Sequence, residues 1–367
     1  MTVSAPLVKT VAVGAQTGTL VWGTAGATNF SVTAANITDG KTGSVAWFSD
    51  SVGASPLGGN PTGLSGVVSS VTSNAATLTV SATTAVISGS YYFKVTFDGT
   101  TSALTTLTVN IFAGEGTEAS PYEIGVAAQL AKLAELVNSL DFNYDYNNKY
   151  YKLTADINLN VAPYNTGTGW MPIGNQSNSF AYLRGSFDGD GKTISGLFIN
   201  DSSMDYAGLF GSLINCTVKN LGVANVNITA AGSQYVGGVA GYAGSSSIIN
   251  CYVSGTVNGY SRTGGVVGGI NWARIADCYS AVNVTVPVWG DVGGVAFPAG
   301  SGQDHKNGAD LSKANAKLQT TYSGIGWLFG DGTIEDNPWV WSGGAYPLPT
   351  LWWQTTPYPA LPTHLAE

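Results

Sequence analysis

Ala207-Gly208-Leu209-Phe210-Gly211, Gly237-Gly238-Val239-Ala240-Gly241, Gly264-Gly265-Val266-Val267-Gly268 and Gly293-Gly294-Val295-Ala296-Phe297 are four versions of one short phrase. Their second glycines, at 208, 238, 265 and 294, lie 27–30 residues apart, a spacing typical of solenoids. A second register runs beside the first. Ile214-Asn215-Cys216, Ile249-Asn250-Cys251 and Ile275-Ala276-Asp277-Cys278-Tyr279 occupy comparable places after each glycine phrase. Strand-like stretches at 218–223, 253–257 and 281–286 close each unit. Three short strands cannot bury their own apolar face, whereas stacked coils share a continuous core and pair every backbone ladder. The expected architecture is therefore a right-handed parallel β-helix over 113–300, with glycines turning its corners at positive φ. The repeat positions are Gly208, Leu209, Gly211, Gly238, Val239, Gly241, Gly265, Val266, Gly268, Gly294 and Val295. Leu209, Val239, Val266 and Val295 should form one core column.

Upstream, Ala127, Leu130, Leu133, Ala134 and Val137 fall at helical spacing, which predicts one amphipathic helix over 125–138 that caps the first coil. Residues 1–112 read as an all-β unit, an Ig-like β-sandwich. Tyr91, Phe93, Val95 and Phe97 alternate with Tyr92, Lys94, Thr96 and Asp98, and Thr38-Asp39-Gly40, Gly58-Gly59-Asn60-Pro61 and Asp98-Gly99 mark turns. Downstream, 301–367 read as a C-terminal cap and tail. A second short helix is expected at 310–321, where Leu311, Ala314 and Leu318 share a face. The fold class is thus all-β with short capping helices.

Composition narrows the function. Charged residues are 10% of the chain, against roughly 25% in an ordinary soluble domain. The net charge is −8, and the 14 Lys and Arg never cluster. Nucleic acid and anionic lipid both need a basic face, so neither is an expected partner. No run approaches the ~18 apolar residues of a span, so membrane insertion is not expected either. Three cysteines make no disulfide framework. No signal peptide is visible at the start, which reads as one from which an export signal has been removed.

The search for chemistry returns little. The histidines, His305 and His364, lie in a polar loop and a proline-rich tail. Asp188-Gly189-Asp190-Gly191 resembles part of a calcium loop but lacks the later ligands, and a tight turn explains it. Asp156, Asp188 and Asp190 are the only carboxylates that suggest an acid pair, and Arg184, Arg262 and Arg274 do not join them in the sequence. Cys216, Cys251 and Cys278 read as buried small residues in successive coils, with Cys251 against Cys278. No cofactor and no metal are expected. Aromatics remain. Tyr144 and Tyr146, in an Asn-rich stretch, and Trp339 and Trp341, near the end, either cover the open ends of the helix or grip a sugar. These four are the candidate binding residues.

The glycine phrases resemble the GLUG-motif family, here Gly208-Leu209-Phe210-Gly211. The likeness extends to Tyr151-Lys152-Leu153-Thr154-Ala155-Asp156-Ile157-Asn158-Leu159, to Trp170-Met171-Pro172-Ile173-Gly174 and to Phe187-Asp188-Gly189-Asp190-Gly191. It runs over roughly 114–352. Gly23-Thr24-Ala25-Gly26, Ala35-Asn36-Ile37-Thr38-Asp39-Gly40 and the stretch 87–95 resemble bacterial Ig-like modules. These resemblances imply a secreted or cell-surface bacterial protein, of a kind found beside IgA peptidases, with no catalysis in the repeats themselves. The expected function is a non-catalytic, adhesin-like surface module whose partner is a glycan or a host or cell-surface protein, with self-association open. The alternative is a polysaccharide lyase or hydrolase on the same scaffold.

Overall fold

The computed structural model describes residues 7–139, 146–175, 181–285, 296–297, 339–341 and 349–351. Tyr144, Gly294, Val295, His305, His364 and the expected helix at 310–321 lie outside these residues. The chain divides into two compact units between Ala113 and Gly114.

The first unit contains β1 (Thr10–Gln16), β2 (Leu20–Val21), β3 (Gly26–Ala35), β4 (Gly43–Phe48), β5 (Leu64–Val68), β6 (Ala75–Ala82), β7 (Gly89–Phe97), β8 (Thr100–Thr101) and β9 (Thr105–Asn110). They form two sheets, ordered β1-β3-β6-β5 and β2-β9-β7-β4, with β8 paired to β7. Period-two alternation turns Phe30 and Val32 inward from β3, and Phe93, Val95 and Phe97 inward from β7, into one shared core. The Phe30 and Phe93 rings meet edge to face at 5.1 Å, with Trp47 beside them. Trp47 is buried, and its Nε1 donates to Asn60 Oδ1 at 2.9 Å, so the indole N–H keeps a partner. The unit is a β-sandwich.

The second unit opens with β10 (Tyr122–Ile124) and α1 (Ala127–Asn138). The helix buries Gln129, Leu130, Leu133, Ala134 and Val137. Gln129 Oε1 reaches back to accept the Gly125 N–H, in the manner of a capping box. At the far end, Asn138 Oδ1 accepts from Gly174 N and Asn175 N, which ties the helix to the coil that follows.

Next come β11 (Tyr150–Leu153), β12 (Ile157–Asn158), β13 (Ser186–Ser195), β14 (Phe198–Asn200), β15 (Tyr206–Ala207), β16 (Phe210–Ile214) and β17 (Thr217–Ala230). They are followed by β18 (Tyr235–Gly237), β19 (Ala240–Gly244), β20 (Ser247–Gly259), β21 (Thr263–Gly264), β22 (Val267–Asn271), β23 (Arg274–Ala276) and β24 (Cys278–Thr285). Three stacks result. The main one runs β10-β11-β13-β17-β20-β24, and β15-β18-β21 and β16-β19-β22 form the others. Every pairing among these strands is parallel, as the repeat predicts for a β-helix. The coil length is 30 residues from Leu221 to its partner Cys251. It is 27 from Tyr252 to its partner Tyr279.

Three members of the expected core column, Leu209, Val239 and Val266, lie among the described residues, and Ile173 precedes them. Ile173, Leu209, Val239 and Val266 are all fully buried. Ile173 N donates to Leu209 O, Phe210 N to Val239 O, and Val239 N to Val266 O. Each such side chain contributes about 1.5–3 kcal/mol by leaving water.

Two expectations need correction. First, the motif glycines do not turn the corners. Positive φ falls instead on residues outside the motif, among them Asn215, Asn220, Asn225 and Asn250, with Asp277 in the next coil. Asparagine tolerates this conformation, and its amide can also bond to the neighbouring coil. Asn250 Nδ2 donates to Asn220 Oδ1 at 3.3 Å, and Asn220 Nδ2 to Asp188 Oδ1 at 3.2 Å. The glycines instead permit close approach. An added Cβ at Gly238 would stand 2.3 Å from Val253 Cγ1 and 2.7 Å from the Gly265 carbonyl of the next coil.

Second, the Ile-Asn-Cys register was misaligned. Cys251 stacks on Leu221, not on Cys216. Cys216 lies one strand earlier, where its N–H donates to Ser246 Oγ. Asn215 and Asn220 are both corner residues five positions apart, and the sequence match selected the wrong one.

Candidate functional site

Of the four aromatic residues singled out in the sequence, Tyr144 lies outside the described residues. Tyr146 sits in a short 3-10 turn, Tyr146–Asn148. Its ring lies 5.9 Å from that of Tyr122, and its carbonyl accepts the Tyr151 hydroxyl. Trp339 and Trp341 belong to a separate strand pair, Trp339–Trp341 against Pro349–Leu351.

The carboxylates are engaged in structure. Asp156 Oδ1 accepts the Thr193 N–H at 2.7 Å, tying one coil to the next. Asp188 pairs with Lys219 at 3.2 Å, and Asp190 with Lys152 at 3.1 Å. The Asp188–Lys192 stretch is a register shift in β13, with Asp190 at φ 49°. Among the described residues, no group of three His, Cys, Asp or Glu stands close enough to hold a metal. All three cysteines are buried and free. Burial pushes the Cys216 and Cys278 thiols well above their ordinary range, with the neighbouring Cys251 adding to the effect at Cys278.

Two surface features, neither anticipated as a site, offer recognition chemistry. One is a groove of about 440 Å³ lined by Asn158, Asn160, Asn165, Asn225 and Asn227, with Leu197 and Phe198 among its apolar lining. Three successive turns of chain build it. Asn158 Oδ1 accepts the Asn160 N–H, and Asn165 Nδ2 donates to Asn160 Oδ1 at 3.2 Å. Gly196 lets the coils close here, since a Cβ would stand 2.6 Å from Asn160 Cβ. Asn165 Oδ1 is buried and accepts no hydrogen bond among the described residues. The sequence signal was a pair of Asn-x-Asn triplets, 158–160 and 225–227.

The other feature is a tyrosine ladder. Tyr206 on β15 pairs with Tyr235 on β18, and their rings stack at 5.0 Å and 4°. Tyr242 meets both edge-on, at 6.3 and 5.4 Å. Val236 pairs with Thr263, so Arg262 holds the next place in the column. Its guanidinium lies 4.9 Å over the Tyr235 ring, and Nη1 donates to the Tyr235 hydroxyl at 2.9 Å. Burial raises the Tyr206 phenol, with smaller contributions from Tyr235, Asp205 and Tyr242 in the same direction. The sequence signal was a tyrosine or arginine two places before the first glycine of three of the phrases: Tyr206, Tyr235, Arg262.

Residues 232–258, which include Tyr235 and Tyr242, match the GLUG motif. Halomucin of Haloquadratum walsbyi is 37% identical over 197 residues, 53% of this chain and 2% of that protein. A putative Gly-rich membrane protein of Evansella cellulosilytica is 36% identical over 135 residues, 36% of this chain and 14% of its own length. The chain thus spans a small fraction of the curated relatives it matches. No solved structure matches it. No helix among the described residues is long and apolar enough to cross a membrane.

Proposed function

We propose that this GLUG-motif chain, a surface-associated protein, is a non-catalytic recognition module that holds a neutral glycan in its amide groove. The observation that carries the reading is the groove lining. Side-chain amides beside the part-exposed Phe198 offer paired donors and acceptors next to apolar surface, which is what a sugar ring presents in return. Amides hydrogen-bond hydroxyls and do not relay protons, so the groove binds rather than transforms. Asn165 supports the same reading, because its carbonyl gains a partner by turning toward a donor in the groove. The β-helix supplies a rigid flank, and the sandwich serves as an Ig-like spacer. Single-site affinity is low in such a groove, and many copies on a cell surface raise it by avidity.

The test is calorimetric titration of the full chain with neutral oligosaccharides found positive on a glycan array, repeated with Asn227→Ala. Asn227 is exposed, so the variant should keep its thermal transition and lose binding about tenfold. Array-wide silence would overturn the reading. So would release of reducing ends from any bound polysaccharide.

A further inference from the structure

We infer that the tyrosine ladder is a second recognition site, and that it takes an acidic sugar with its anionic group at Arg262. This goes beyond the amide groove and does not depend on it.

The argument begins with charge. The chain carries 14 Lys and Arg against 22 Asp and Glu. Attraction of an anion by the whole molecule is therefore absent, and any anion held must be held locally. The lysines that form ion pairs do so with carboxylates: Lys9 and Lys41 with Asp98, Lys132 with Glu135, Lys152 with Asp190, Lys219 with Asp188. Arg262 differs. It is exposed, and its partner is the face and hydroxyl of Tyr235. One guanidinium nitrogen is spent on that hydroxyl, and the planar fork keeps donors for a carboxylate or sulfate. The stacking holds the fork in place, so little rotamer freedom is left to lose on binding.

The backbone adds a second, independent observation. Arg262 sits at φ 39°, in the region that L residues other than Asn and Gly rarely adopt. Positive φ recurs at bends of the coils, Ser245 and Trp272 among them, and at Arg262 it puts such a bend at the end of the aromatic column, which fixes where the guanidinium starts.

The rest of the column fits a sugar. Tyr206, Tyr235 and Tyr242 are half-buried, with ring bodies packed on one another. Successive coils are about 5 Å apart, so Tyr206 to Arg262 spans roughly 10 Å, about two sugar rings. Asp205 adjoins Tyr206 at the other end of the column and repels anions there. An acidic substituent is thus directed to the Arg262 end and neutral hydroxyls to the Tyr206 end.

The experiment is biolayer interferometry of the full chain against immobilised oligogalacturonate, a sulfated galactan and a neutral galactan, at two ionic strengths. Oligogalacturonate should bind, more weakly at high salt, and the neutral galactan should not bind to the ladder. Arg262→Gln should weaken binding about tenfold or more. Arg262→Asn should do the same while keeping a residue that accepts positive φ, which guards against a folding defect. Tyr235→Phe should give a smaller loss with the thermal transition unchanged. Binding of the sulfated galactan in place of oligogalacturonate, with the same Arg262 dependence, assigns the anion as a sulfate ester and supports the inference. Asn227→Ala should leave all of this unchanged, which separates the ladder from the groove. Equal binding of neutral and acidic oligomers that persists in Asn227→Ala, acidic binding indifferent to Arg262, or no acidic binding at millimolar ligand would each overturn it.

Discussion

Gly238→Ala tests the reason for the glycine repeat directly. The new methyl would stand 2.3 Å from Val253 Cγ1 and 2.7 Å from the Gly265 carbonyl. The same carbonyl accepts the Gly238 N–H at 3.0 Å, so relief by moving the coils apart lengthens the ladder bond that joins them. The valine can give slightly, but the carbonyl belongs to the neighbouring backbone. Forcing a methylene-sized group into a filled core costs about 1–3 kcal/mol. Alanine also lowers the entropy of the unfolded chain, which offsets about 0.4–1 kcal/mol. The net destabilisation is on the order of 1–2 kcal/mol, or a drop of about 2–8 °C in the β-helix transition. Scanning calorimetry of the full chain reads this. Gly59→Ala is the control, because nothing lies within 4 Å of a Cβ there and no positive φ forbids it. It should leave the sandwich transition unchanged or slightly raised. A β-helix transition unchanged or raised by Gly238→Ala would refute the close-approach account and return the glycines to a corner-turning role.

Three further outcomes follow from the geometry. Under native conditions, a thiol reagent at pH 8 should label Cys216, Cys251 and Cys278 only as fast as the β-helix opens, because all three are buried and burial also raises the Cys216 and Cys278 thiols; rapid stoichiometric labelling would contradict the burial. Asn250→Ala should cost about 1–3 kcal/mol, and Asn250→Gly less. Alanine loses both the positive-φ tolerance and the bond to Asn220, whereas glycine loses only the bond; equal denaturation midpoints would show that φ is not the constraint. In the sandwich, the backbone N–H groups of Ala54, Ser55 and Val52 lower the Asp50 carboxyl to about 2, from an ordinary 3.8. A depressed acid contributes stability that is present above the unfolded value and lost as pH falls through the folded one. The sandwich transition should therefore fall between about pH 4 and 2, and Asp50→Asn should flatten that slope.

Much of this protein was legible because its signals are periodic. The glycine phrases recur at the coil length, so they announced a stacked helix and placed Leu209, Val239 and Val266 in one column. Helical spacing at Leu130, Leu133 and Val137 located the one described α-helix to within two residues. Strand alternation in β3 and β7 marked the inward faces of the sandwich. These are local regularities, and local sequence is enough to state them. What the sequence left undecided depends on which residues of different coils lie side by side. The coil length changes from 30 to 27 between neighbouring turns, so equal letters do not mark equal places, as at Cys216. Whether a glycine serves φ or space cannot be told from its letter, because both demands select the same residue. Only the stacked backbone shows Gly238 facing a carbonyl while Asn220 and Asn250 turn the corner. The two candidate sites share this origin. Asn160 and Asn225, like Tyr206 and Arg262, are distant in the chain and become neighbours only because a parallel coil returns to the same place about 5 Å further along.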